Sequence, residues 1–243
     1  MVVTTKAIVF SSLKYGEADL IVKCFTQSSG LKSYLLRNVL SRTSRAKKGK
    51  LKASYFQVLT ILEMEAFHKD KGTLERINDV KISFPYKTLH TQVIKSTLAI
   101  FLSEILSSSI IEEAEDLRLF QFIEESLIWL DQHSEIANFH VLFLLKLSSY
   151  LGFYPDITTL HFSYFNLLEG NFQQFDNGKY CEFGETIENF KKFFGIEFDA
   201  ISEINLTKNQ RSDLLNLLLQ YYQLHLHGFK KPKSILVLNQ IFE

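Results

Sequence analysis

The sequence predicts an α+β protein, a small five-stranded β-barrel over residues 1–82 followed by a mostly α-helical domain over residues 83–243. Three observations carry that division. Up to about Ile82, short runs rich in Val, Ile, Phe, Tyr and Thr alternate apolar with polar residues between turn signals. Beyond Pro85 the apolar period lengthens to about 3.6 residues, the repeat of a helix with one buried face. Formal charge divides at the same place. Residues 1–80 hold 14 Lys and Arg against 7 Asp and Glu, and the remainder holds 13 against 20, so a net charge of zero conceals +7 and −7. A basic half joined to an acidic half points to a partner that is a polyanion.

Five strands are expected in the first part. The first covers roughly Thr4 to Leu13, and the turn Tyr15-Gly16-Glu17 leads into a second from Asp19 to Thr26, where Leu20, Val22 and Cys24 alternate with Ile21, Lys23 and Phe25. The turn Ser28-Ser29-Gly30 closes a hairpin with the third strand, Leu31 to Val39. A polar, basic loop precedes Ser54 to Glu65 and Leu74 to Ile82, the last two. Five short strands in a domain of this size suit a closed barrel of the OB type, and an SH3-like barrel gives a similar string.

Helices follow. Ile94, Leu98, Phe101, Leu102 and Ile105 share one helical face, Phe120, Ile123, Leu127 and Leu130 a second, and the segment Asn138 to Leu151 is apolar nearly all round, as expected of a domain's central helix. Between Phe162 and Phe183 the pattern breaks into aromatic sequence with Gly and Asn, a small hairpin or irregular insert spanning about 160–184. Ile187, Phe190 and Phe194 resume a helix that Gly195 stops. The last long helix begins at Thr207, which stands three residues before Gln210 in the spacing of a capping box, and carries Leu215, Leu218, Tyr222 and Leu226 inward until Gly228. Pro232 starts a short terminal segment.

Several classes of function are disfavoured. The longest stretch without formal charge, Leu214 to Phe229, contains Asn216, Gln220, Gln223, His225 and His227, too polar for a lipid span. The opening residues lack a basic region leading into an apolar run, and two cysteines, Cys24 and Cys181, suit a reducing compartment, so a cytoplasmic protein is expected. No phosphate-cradling glycine loop, nucleophile elbow or Cys/His arrangement occurs, so neither catalytic residues nor an enzyme is expected. The seven histidines and the lone Cys181 do not supply four ligands, and the acidic cluster Glu112, Glu113, Glu115 and Asp116 is better placed as a solvated loop favouring the next helix, so no metal or cofactor is expected.

The informative segment runs from Leu20 to Leu62, with nine cations and no acidic residue. Lys32, Arg37, Arg42, Arg45, Lys47, Lys48, Lys50 and Lys52 are the candidate phosphate contacts, since neutralising phosphates releases counterions and gives salt-dependent, sequence-independent affinity. Tyr34 and Tyr55 are candidate base-stacking residues. Strand alternation puts Lys32 and Tyr34 on one face and Arg37 on the other. An RNA-binding module shares every one of these arguments, and a scaffold whose basic barrel meets an acidic protein is the alternative from another class.

A family resemblance attaches to particular phrases. Lys14-Tyr15-Gly16-Glu17-Ala18-Asp19-Leu20-Ile21-Val22, then Phe25-Thr26 and Gly30-Leu31, resembles the first hairpin of the RecO family. Ser44-Arg45 and Gly49-Lys50-Leu51 resemble its basic loop, Leu151-Gly152-Phe153-Tyr154-Pro155-Asp156 its second-domain turn, and His227-Gly228-Phe229 with Lys233-Ser234-Ile235-Leu236-Val237-Leu238 its closing motif. The phrases span nearly the full chain in the right order. The resemblance implies an OB-fold joined to a helical domain, binding of single- and double-stranded DNA, strand annealing, and help for RecA on DNA covered by the single-strand DNA-binding protein. It implies RecR and the C-terminal tail of that binding protein as partners. Many members carry a four-cysteine zinc motif where this chain keeps only Cys181, which implies a zinc-free insert held by Phe162, Tyr164, Phe165, Phe172 and Phe175.

Overall fold

The computed structural model describes residues 1–41, 51–69, 74–111 and 114–241. Five antiparallel strands, β1 (Val2–Tyr15), β2 (Asp19–Thr26), β3 (Gly30–Leu36), β4 (Ile61–Phe67) and β5 (Arg76–Ile82), form one sheet in the order β3-β2-β1-β4-β5. The long β1 is the hinge of this sheet. Its first half pairs with β4, Val2 opposite Phe67 through Ile8 opposite Ile61, and its second half with β2, out to Tyr15 opposite Asp19. A bulge between Val9 and Ser11 bends the strand as it passes from one partner to the other.

Alternation sorts the side chains as the sheet requires. Ala7, Val9, Leu20, Val22, Cys24, Tyr34, Leu36, Leu62, Met64, Ala66, Ile77 and Val80 fill a buried core on the concave side, closed by Phe56 from a short 3₁₀ turn at Ala53–Phe56. The expected barrel does not close by a continuous ladder. Among the described residues its edges meet at one parallel bridge, between Tyr34 and Glu75, where Leu35 N–H donates to the Glu75 carbonyl at 3.0 Å and Glu75 N–H to the Ser33 carbonyl at 2.8 Å. The right-handed twist of a five-stranded sheet brings the edges near.

Ile8 and Phe10, on the opposite face of β1, are also buried. They lie under two helices, α1 (Val93–Ser109) and α2 (Leu117–Gln132). Phe25 bridges Phe10 and Phe120, with ring centroids at 5.6 and 5.9 Å, and Lys6 Nζ reaches Glu124 Oε1 at 2.7 Å. The helical stripe expected in α2 is buried in full, whereas Ile94 of α1 is 40% exposed. The acidic loop residue Asp116 accepts a hydrogen bond from Leu119 N–H at 2.9 Å, capping the start of α2. With its two helices the sheet forms one compact unit, Met1–Asp131, and Gln132–Glu243 forms a second.

The second unit is built on α3 (Phe139–Tyr150), whose residues from Phe139 to Leu145 are all buried. A three-stranded sheet follows, β6 (Tyr164–Asn166), β7 (Asn171–Gln173) and β8 (Cys181–Phe183), in the order β7-β6-β8. Then come α4 (Glu185–Lys191), α5 (Lys208–His225) and α6 (Ile235–Ile241). The capping box of α5 is formed, with Gln210 N–H donating to Thr207 Oγ1 and Thr207 N–H to Gln210 Oε1. Phe165 and Phe172 of the insert are buried against Phe190 and Tyr221 or Phe194, while Phe175, expected beside them, is 67% exposed. Among the described residues no helix is long and apolar enough to cross a membrane.

Candidate nucleic-acid interface

The hairpin β1–β2 and the turn after β3 are tied together by backbone chemistry. Asn38 N–H donates to Asp19 Oδ1 at 2.8 Å, and Leu40 N–H donates to the Ala18 carbonyl at 2.9 Å. Asn38 holds φ at 57°, a left-handed conformation that Asn tolerates better than most residues. These bonds bring exposed Arg37 beside the hairpin tip, where Lys14 is exposed and Tyr15 is 56% exposed.

Register then defines the surface leading away from the tip. Leu13, Ile21 and Leu35 form one row across β1, β2 and β3, and Ser11, Lys23 and Ser33 form the next. This is the face opposite Val22, Tyr34 and Leu36, and none of these six side chains is fully buried. It carries aliphatic contact area from Leu13, Ile21 and Leu35 and the ammonium of Lys23 on the side of the second and third strands, the strands whose face OB-folds use for oligonucleotides.

The sequence-expected residues distribute unevenly about this surface. Arg37 belongs to it. Lys32 lies at the other end of β3, opposite Cys24, and is half-buried. Lys52 is exposed at the start of the 3₁₀ turn, its ammonium 5.7 Å from the Tyr55 ring centroid. Tyr55 is half-buried against the sheet's core, so one side of its ring is already in use. Arg42, Arg45, Lys47, Lys48 and Lys50 lie outside the described residues. On either side of them Val39 and Leu51 pack on the same core, so the basic segment leaves and rejoins the sheet at anchored points.

Tyr34 is corrected from a stacking residue to a core residue. It is fully buried, faces Val22 across the ladder, and its hydroxyl hydrogen-bonds His68 Nε2 at 2.8 Å. Burial pushes its phenol well above the usual tyrosine range, with Cys24 and Glu75 adding to the shift. Burial likewise raises the Cys24 thiol, removing it from reactive chemistry at neutral pH. Tyr15 is the aromatic that sequence reasoning placed only in a turn. The signal was present, since a tyrosine flanked by Lys14 and Gly16 at a hairpin tip has no core to enter.

The insert contains one cysteine. Cys181 Sγ accepts from Asn177 N–H at 3.4 Å and lies 3.9 Å from Gln173 Oε1, and the inward positions of the little sheet hold Phe165 and Phe172 instead of ligands. Among the described residues no three His, Cys, Asp or Glu side chains converge as metal ligands. Two of the histidines are packing elements: His225 stacks on Phe153 at 5.4 Å and hydrogen-bonds the Leu167 carbonyl, and burial followed by Arg211 lowers His140 to about 3.

Two family models cover most of the chain. A family model described as "Recombination protein O N terminal" matches residues 1–86, and one described as "Recombination protein O C terminal" matches residues 90–234. The DNA repair protein RecO of Flavobacterium psychrophilum is 50% identical, that of Christiangramia forsetii 47% and that of Bacteroides fragilis 32%, each match covering 100% of both chains. The chain therefore belongs to the RecO family.

Proposed function

We propose that this protein acts in DNA repair and recombination by holding single- and double-stranded DNA through phosphates on its sheet domain, so that complementary strands anneal. Two polyanions repel, and a surface that neutralises both lowers the barrier to pairing without making or breaking a bond. In this reading the protein is not an enzyme and needs no cofactor, and its insert is held by aromatic packing in place of zinc. The DNA-holding residues are Arg37, Lys14 and Lys23 with the basic segment through Arg42, Arg45, Lys47, Lys48, Lys50 and Lys52, and Tyr15 is the stacking residue. Its working place is the cytoplasm. It assists RecA on DNA covered by the single-strand DNA-binding protein, with RecR and the tail of that binding protein as partners, as its family membership supports.

One observation carries the proposal most directly. The stretch Leu20–Leu62 holds nine cations and no acid, and Arg37 within it and Tyr15 at the hairpin tip are both exposed. The test is an anisotropy titration with labelled single-stranded DNA at several salt concentrations. Affinity that falls linearly in log–log form, with a slope of about −0.7 per phosphate contacted, is expected. Binding that ignores salt, or none at low salt, would overturn the proposal. Competition with RNA of equal length tests the nucleic acid preferred.

A further inference from the structure

The second unit, although acidic in sum, contains a stretch of opposite character at its end. From Leu214 to Phe242 the sequence has no acidic residue, and within it Lys230, Lys231 and Lys233 fall in four positions. The structure shows how that segment is held. Phe229 is buried and packs its ring 5.4 Å from Tyr222, Pro232 is buried between the lysines, and Ser234 and Leu238 are buried after them. Phe229 N–H donates to the Leu226 carbonyl at 3.2 Å, and Gly228 takes φ +77° to turn the chain out of α5. Buried anchors thus alternate with lysines, and Lys230, Lys231 and Lys233 are all exposed, with His227 also exposed on the same segment.

Three exposed lysines on a backbone anchored by buried neighbours differ from a solvated lysine tail in that the backbone need not be ordered on binding. We infer that Lys230, Lys231 and Lys233 form a second phosphate-binding surface, carried by the helical unit and separate from the sheet's, that takes the backbone of a nucleic-acid strand. This rests on the DNA reading given above. An annealing protein must hold two strands, and a phosphate surface in each unit assigns one to each. An acidic polypeptide is the competing ligand, and the three lysines favour a nucleic-acid backbone because a phosphate chain presents regular, fully ionised charge to unspecialised ammonium groups.

The test uses the full chain, comparing the parent with a variant carrying Lys230→Ala, Lys231→Ala and Lys233→Ala and with another in which the same three are arginine. Single-stranded DNA affinity is measured across salt, annealing of complementary strands is timed, and thermal melts check folding. The alanine variant should melt like the parent, lose about 2 units of the salt slope and bind at least tenfold more weakly at low salt, since each lost phosphate contact removes about 0.7 units. The arginine variant should keep the parent's slope. An alanine variant with parental slope and affinity overturns this inference alone, leaving the sheet as the DNA site. Parental DNA binding combined with lost binding of poly-glutamate overturns it in favour of an acidic protein partner. A parent that shows no salt-dependent binding overturns both readings.

Discussion

The hydroxyl of Tyr34 lies 2.8 Å from Nε2 of His68, joining β3 to the end of β4 inside the sheet's core. Both side chains are buried, and their rings stand 5.9 Å apart. That bond makes Tyr34 a measure of stability and leaves Tyr15 as a measure of binding. Tyr34→Phe should cost about 1–2 kcal/mol of folding stability and leave DNA affinity unchanged. Tyr15→Ala should do the reverse, weakening single-stranded DNA by about 1–3 kcal/mol while barely moving the melt. Urea unfolding and anisotropy on both variants decide the matter. Weakened DNA binding in folded Tyr34→Phe would return that residue to the site.

Replacing Lys47, Lys48 and Lys50 with alanine should weaken DNA of every sequence alike and reduce the salt slope by about 2 units. Arg37→Ala should remove about 0.7 units by itself. The measurement is the same titration with two unrelated oligonucleotides. An unchanged slope would remove the basic segment from the interface, and a sequence-dependent loss would point to base contacts instead of phosphates.

Gly170 holds φ +67° in the turn between β6 and β7, and a Cβ there would sit 2.6 Å from the hydroxyl oxygen of Tyr221. That hydroxyl donates to the Phe153 carbonyl at 2.7 Å, so it cannot swing aside without giving up a partly buried bond. Gly170→Ala should therefore destabilise the protein by about 2–4 kcal/mol, combining backbone strain with the lost hydrogen bond. Tyr221→Phe removes the atom in the way. In that background the same alanine should cost about 1 kcal/mol less, and a thermal double-mutant cycle reads the difference. Equal costs in both backgrounds would show that strain in the turn, and not the tyrosine, sets the penalty.

How far the sequence discloses all this depends on which force decides each element. β2 is found at its expected limits because Leu20, Val22 and Cys24 alternate without interruption and a turn stands at each end. The fourth strand begins at Ile61 and not near Ser54, because Ala53–Phe56 coils into a 3₁₀ turn that drops Phe56 into the core. Leu59, with φ 62°, is held by its N–H bond to the Val9 carbonyl, a tertiary contact that outweighs the strand propensity of Tyr55 and Phe56. Period also identifies α1 and α2 as helices without saying which core they join, and Phe25 decides that by packing against Phe120. In the site, charge was legible because a missing acid is visible in any string. The core role of Tyr34 lies in the alternation of β3, where it stands two residues from Leu36 on the buried side. The placing of the Arg37 turn beside the β1–β2 hairpin was not legible, because it depends on the Asn38–Asp19 and Leu40–Ala18 bonds between two turns.

Asp131, buried near the end of α2, gathers the connection between sheet and helices. Its carboxylate accepts from the N–H groups of Lys87, Thr88 and Leu89 at 3.0, 2.7 and 2.7 Å, and the Thr88 hydroxyl donates to it as well. Lys95, also buried, donates from Nζ to the Asp131 carbonyl and to Thr88 Oγ1, each at 2.8 Å. Burial acts to raise the Asp131 carboxyl, but the three backbone donors and the hydroxyl outweigh it and hold the group below the ordinary carboxylate range. A carboxyl depressed in the folded state contributes stability above its unfolded pKa of about 4, and that contribution is lost as pH falls through the folded value. Asp131→Asn retains one acceptor oxygen, cannot ionise, and should cost about 2–3 kcal/mol at pH 7. Because the parent loses the same advantage in acid, the two melting curves should converge below about pH 4. A gap that stays constant from pH 7 to pH 3 would mean that Asp131 acts by shape and hydrogen-bond count alone, with its charge contributing nothing.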